Sequence, residues 1–125
     1  MKKIDRQKVY EKYGGHCAYC GTEIAFKDMQ VDHVIPKRRA FEYEYDDVYS
    51  FHKHRDINEI DNLMPSCLIC NHYKRSYIPE NYREIMKTLH KRIEKIYIVR
   101  VAIRYGMLSL KPFDGKFYFE TIKND

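Results

Sequence analysis

The sequence predicts an α+β fold formed as one domain over residues 1–125, and three observations carry that expectation. Two Cys-x-x-Cys pairs, Cys17 with Cys20 and Cys67 with Cys70, stand 46 residues apart. Apolar residues alternate loosely through 22–35, and beyond Pro79 they recur at helical spacing. A chain of 125 residues buries about two thirds of its unfolded surface, so its core is modest and gains from a metal staple. No internal repeat, low-complexity linker or apolar run long enough for a membrane helix interrupts it.

Each element follows from local chemistry. Asp5 caps a first helix running to about Tyr13, with Val9 and Tyr13 on one face and Gly14-Gly15 as its stop. The first cysteine pair comes next, and Gly21 after it supplies the positive φ that a knuckle turn requires. Ile24, Phe26, Met29, Val31 and Val34-Ile35 predict a short antiparallel hairpin over 22–35, turning at Lys27-Asp28 and closed by Pro36. An irregular segment rich in aromatic and charged residues extends to about Asp61. Pro65-Ser66 resembles a helix start, so a short helix carries Cys70, Asn71, Lys74 and Arg75, and its spacing puts residues 71, 74 and 75 on one face. Pro79 opens the next helix, whose stripe Ile85, Leu89, Ile93, Ile96 predicts a core face. Residues 98–105 extend that helix or begin another element, strand included; Gly106 stops it, and 116–121 reads as a C-terminal strand.

Charge is unevenly spread. The net charge is +5, and residues 71–104 hold nine Lys or Arg against three Glu, whereas 40–50 hold four acids and no base. A basic stretch of this kind tracks phosphates or forms an ordinary solvated helix face. Met1-Lys2-Lys3 leads into a polar helix pattern with no apolar signal segment, so an intracellular, cytoplasmic location with no membrane partner is expected. In that compartment the four cysteines favour a closed zinc site over disulfides or a thiol redox centre.

The chemistry centres on Asp32-His33. A histidine has an ordinary pKa of about 6.5 and is mostly neutral at physiological pH, which suits it to take a proton from water. Asp32 offers hard oxygens of the kind Mg²⁺ prefers, and an amide oxygen such as that of Asn71 can complete the protein's share. Adjacent strand residues point to opposite faces, so both can address one phosphate only across a twist or bulge.

Taken in order, Cys17-x-x-Cys20-Gly21, Val31-Asp32-His33-Val34-Ile35-Pro36, Asn62-Leu63-Met64-Pro65-Ser66-Cys67 and Cys70-Asn71-His72-Tyr73-Lys74 resemble the HNH endonuclease family, in its zinc-stapled four-cysteine subgroup, as a His-Asn-Asn variant. The resemblance covers about 13–75. It implies a ββα-metal (His-Me finger) core with a four-cysteine zinc knuckle pair, flanked by N- and C-terminal helices and a short C-terminal strand, with a helical extension over 76–125. It further implies a metal-dependent DNA endonuclease leaving 5′-phosphate and 3′-hydroxyl ends. His33 is then the general base and Asn62 the residue orienting loop and base. Asp32 and Asn71 hold a catalytic Mg²⁺ or other divalent cation, with His72 the alternative to Asn71. Cys17, Cys20, Cys67 and Cys70 hold structural zinc, and Lys37, Arg38, Arg39, Lys74 and Arg75 contact the DNA backbone. No small-molecule organic cofactor is expected, and a phage or mobile-element origin is compatible with this family.

Two departures stand out: Lys37-Arg38-Arg39-Ala40-Phe41 replaces the family's usual Gly-Gly, and 28 residues separate His33 from Asn62. The insertion over 38–60, with Tyr43, Tyr45, Tyr49, Phe51, His52 and His54, stacks on bases or packs locally. A non-catalytic zinc-stapled nucleic-acid-binding module is the alternative function, and the sequence leaves monomer or dimer open.

Overall fold

The computed structural model describes residues 2–36 and 56–122. Lys37, Arg38, Arg39 and most of the aromatic insertion therefore lie outside the described residues. Two compact units emerge: Met1–Ile78 together with Phe117–Asp125, and Pro79–Lys116.

In the first unit, helix α1 spans Arg6–Glu11, with the Asp5 carboxylate accepting from the Gln7 and Lys8 amides at its start. Val9 on α1 is fully buried against Met29 and Leu63, and Ile4, Tyr10, Ile24 and Val31 close around them. Strand β1 (Gln30–His33) pairs antiparallel with β2 (Leu63–Ser66), in the register Val31 to Pro65 and Asp32 to Met64. Helix α2 (Leu68–Lys74) follows after a single residue, Cys67. The unit is thus α+β, and the order β1, β2, α2 with a four-cysteine cluster is consistent with a ββα core.

Three local expectations are corrected. The hairpin over 22–35 does not form: Phe26–Asp28 is a 3-10 turn, Glu23 bridges to His16, and β1 takes its partner from 63–66. Pro65-Ser66 belongs to β2 rather than to a helix. Proline is tolerated there because, among the described residues, the sheet has two strands and β2 has an outer edge on which no ladder amide is needed. The C-terminal strand is instead helix α6, Tyr118–Thr121. The Tyr118 and Phe119 amides do donate to the carbonyls of Tyr19 and Ala18, at 3.0 and 2.8 Å, but Glu120 reaches back to the Phe117 amide and coils the chain. Buried Phe117 packs edge-on to Tyr19, with centroids 5.4 Å apart.

The second unit comprises α3 (Pro79–Lys87), α4 (Leu89–Ile93) and α5 (Tyr97–Arg104). Pro79 is the first residue of α3, where its missing amide costs nothing. Arg92 spans the break between α3 and α4, donating to the Ile85 carbonyl and the Thr88 hydroxyl. The predicted core stripe is not buried. Ile85, Leu89 and Ile93 are half-buried and Ile96 is exposed, because the helix breaks twice and its pieces do not keep one continuous face.

Candidate active site and metal centre

The two knuckles meet through β2. The Ala18 amide donates to the Pro65 carbonyl at 2.8 Å, so the first cysteine turn is fastened to the strand that leads into the second. In the first knuckle, Gly21 has φ +80°, and its amide closes the turn on the Cys17 carbonyl. In the second, Cys67 caps α2 and its sulfur accepts the Cys70 amide.

All four thiol sulfurs lie within 4.8 Å of one another, and Cys20 Sγ and Cys67 Sγ are 3.8 Å apart. A tetrahedron with zinc–sulfur bonds of about 2.3 Å has edges of about 3.8 Å. None of the cysteines is in a disulfide. The hydrogen bond from Cys70 draws Cys17 down and pushes Cys70 up, and burial raises Cys67. Four sulfurs this close cannot all ionise without a cation among them, so the donor set fits structural zinc.

Beside this cluster, β1 turns Asp32 inward and His33 toward the other face. Asp32 is buried, and its carboxylate receives the Tyr19 hydroxyl at 2.5 Å and the Lys74 ammonium at 3.0 Å from Oδ2 and 3.3 Å from Oδ1. Burial raises the Asp32 pKa above the usual carboxylate range, while Lys74 and Tyr19 pull it back. Lys74 is not on the surface with Arg75, as helical spacing suggested. It is fully buried, also lies 3.5 Å from the His33 carbonyl, and so is not exposed to phosphate. Arg75 is exposed, at φ +54°.

His33 Nε2 is 2.7 Å from the side-chain oxygen of Asn58. The Asn58 amide nitrogen donates to the Lys2 carbonyl at 2.8 Å, which fixes the amide orientation. The Asn58 oxygen therefore faces His33, and Nε2 must carry the hydrogen. Nδ1 remains as the basic nitrogen.

Asn62 is fully buried. Its oxygen accepts the Ile35 amide at 2.9 Å and its nitrogen donates to the carbonyls of Ile35 and Ile57, while its own carbonyl takes the Val34 amide. The residues just past His33 are thereby tied to the approach to β2.

Asn71 is half-buried on α2, one turn before Lys74 and thus on the same face, whereas His72 is exposed. The oxygens of Asp32 and Asn71 are hard donors of the kind a divalent ion accepts. Both Asp32 oxygens already face the Lys74 ammonium.

Sequence reasoning missed Tyr19, Asn58 and the inward role of Lys74. Tyr19 had one signal, a phenol inside the first knuckle; Asn58 lay in a stretch read as insertion.

Among the described residues no helix is long and apolar enough to cross a membrane. Compared with known protein families, residues 17–76 match the one described as HNH endonuclease. No curated protein and no solved structure matches the chain.

Proposed function

Residues 17–76 are an HNH endonuclease domain carrying a four-cysteine cluster, and from that premise we propose that this protein is a metal-dependent DNA endonuclease with His33 as general base. The observation that carries the assignment of the base is the Asn58 contact, which leaves His33 Nδ1 free of the ring proton. Nδ1 takes a proton from water, the water oxygen bonds to phosphorus, and the phosphorus–O3′ bond breaks. The O3′ then acquires a proton from solvent, leaving 5′-phosphate and 3′-hydroxyl ends.

Asp32 and Asn71 are the residues that would hold Mg²⁺ or a similar ion; bound there, it supplies positive charge against the developing charge on the phosphate and leaving oxygen. Asn62 keeps His33 in register by fixing Val34 and Ile35. The cysteines, with zinc, hold the knuckle that carries Tyr19 against Asp32. Arg75 and the run Lys37, Arg38, Arg39 serve as backbone contacts.

Supercoiled plasmid with Mg²⁺ or Mn²⁺ tests this. The zinc-loaded parent should nick it, and His33→Ala should remain folded and lose at least about 100-fold in rate. The nicks should be sealed by DNA ligase without kinase treatment. Equal nicking by the alanine variant overturns the assignment; binding without nicking by the parent favours the non-catalytic module.

A further inference from the structure

We propose that α5 in the second unit is a docking surface for an unpaired nucleic-acid strand, with Arg100 and Arg104 on phosphates and Tyr97 and Tyr105 stacked on bases. The proposal rests on the nuclease reading only for the class of partner. Its residues lie outside 17–76, the stretch that matches the family.

Charge is the first argument. Residues 79–116 hold nine Lys or Arg against four Asp or Glu, an excess of five, which equals the net charge of the whole chain. The other unit is therefore neutral in sum, and the pull toward a polyanion resides in this one. Helix α5 itself contains no acid, and among the described residues neither Arg100 nor Arg104 has an ion-pair partner.

Exposure is the second. No residue of α5 is buried, and Tyr97 and Tyr105 are 76% and 75% exposed. Positions 97, 100, 101, 104 and 105 share one helical face, and together they line a hollow of about 450 Å³. Arg100 and Arg104 also line a neighbouring hollow of about 520 Å³ with Lys95. Guanidinium groups between two exposed phenol rings meet the two recurring needs of a single strand, phosphate neutralisation and a flat surface for bases. A symmetric second copy fits less well, since a two-fold contact would bring the arginine stripe against its own mate.

The test uses the full-length, zinc-loaded His33→Ala protein without added divalent ion, so that binding is read whether or not the parent cuts. Fluorescence anisotropy is followed with labelled single-stranded and duplex DNA between about 50 and 200 mM salt. Arg100→Ala/Arg104→Ala should weaken single-strand binding about tenfold or more and lower the log–log salt slope by about 1.4. Tyr97→Ala/Tyr105→Ala should weaken it by a similar factor, with the slope unchanged and duplex binding little affected. Unaltered zinc content and circular dichroism would show that these exposed substitutions leave the fold intact. Parent-like affinity in both double variants overturns the proposal. So does a dimer dissolved by Arg100→Glu, or arginine-dependent binding to anionic lipid vesicles with none to DNA. A parent that binds through α5 but never nicks refutes the endonuclease reading and leaves this one standing.

Discussion

Lys74 holds its ammonium 3.0 Å from Oδ2 and 3.3 Å from Oδ1 of Asp32, and the two side chains are 0% and 5% exposed. A lysine this buried persists because the carboxylate offsets its desolvation, and the carboxylate depends on it equally. The pair also ties α2 to β1, with Tyr19 from the first knuckle as a third member.

Lys74→Met removes the ammonium while keeping most of the stem. Burial already raises Asp32, and the cation is the largest influence lowering it, so in the variant the folded-state pKa moves further above the unfolded value of about 3.9. Folded protein then keeps a proton that the unfolded chain has released, and stability falls as pH rises through that interval. The deficit should grow as pH rises above the unfolded carboxylate value, reaching about 3–5 kcal/mol at the alkaline end. Denaturant unfolding at several pH values measures it. A deficit independent of pH would show that Lys74 acts only by packing.

Asn58 supplies the second prediction. Asn58→Ala leaves His33 Nε2 without its acceptor, so the ring can take the other tautomer and lose its bearing. The turnover rate should fall about tenfold with little change in KM, since no substrate contact is removed. Asn58→Asp keeps an acceptor at the same place and, being anionic, favours the protonated ring. It should restore much of the rate while moving the acid limb of the pH profile upward. Equal losses in both variants, with an unshifted profile, would reduce Asn58 to a brace for Lys2.

Much of this arrangement was legible in the sequence because its signals are local. Asp5 as a cap, Gly21 at positive φ, Pro79 at a helix start and the two cysteine turns each announce themselves within four residues. The partner of β1 had no such signal: Val31 meets Pro65 across 34 positions, and a local hairpin over 22–35 satisfied the same alternation. Lys74 was misread for a related reason. Helical spacing gave its face correctly, yet nothing near it in the chain reveals Asp32, 42 residues earlier, as the charge that draws it inside. The C-terminal segment read as a strand because β-propensity cannot register the back-bond from Glu120 to Phe117.

Gly21 gives a test of the knuckle's backbone. Its φ of +80° is strained for any side chain, and an added Cβ would lie 2.7 Å from Tyr118 Cδ1. Gly21→Ala should cost about 1–3 kcal/mol in thermal or denaturant unfolding. Adding Tyr118→Ala should recover only part of that, because the ring clash disappears and the dihedral strain does not. Full recovery in the double variant would mean that the turn tolerates alanine and that the clash alone was responsible.

The sulfur cluster predicts how the protein responds to acid and to chelation. Cys17 is drawn down by its hydrogen bond from Cys70, while Cys67 and Cys70 are pushed up. Zinc must therefore displace protons from at least two thiols when it binds, and its hold weakens as pH falls. A zinc ion held by the four sulfurs would join segments 46 residues apart, so its loss should separate the knuckle bearing Tyr19 from α2 and remove a contribution on the order of 10 kcal/mol. A strong chelator, or Cys67→Ser, should abolish cooperative unfolding, and zinc release should be followed by loss of far-ultraviolet circular dichroism at the same pH midpoint. One zinc per chain by elemental analysis is the expected stoichiometry. Retention of cooperative unfolding after complete zinc removal would mean that the Val9, Met29 and Leu63 core holds the first unit together without the clamp.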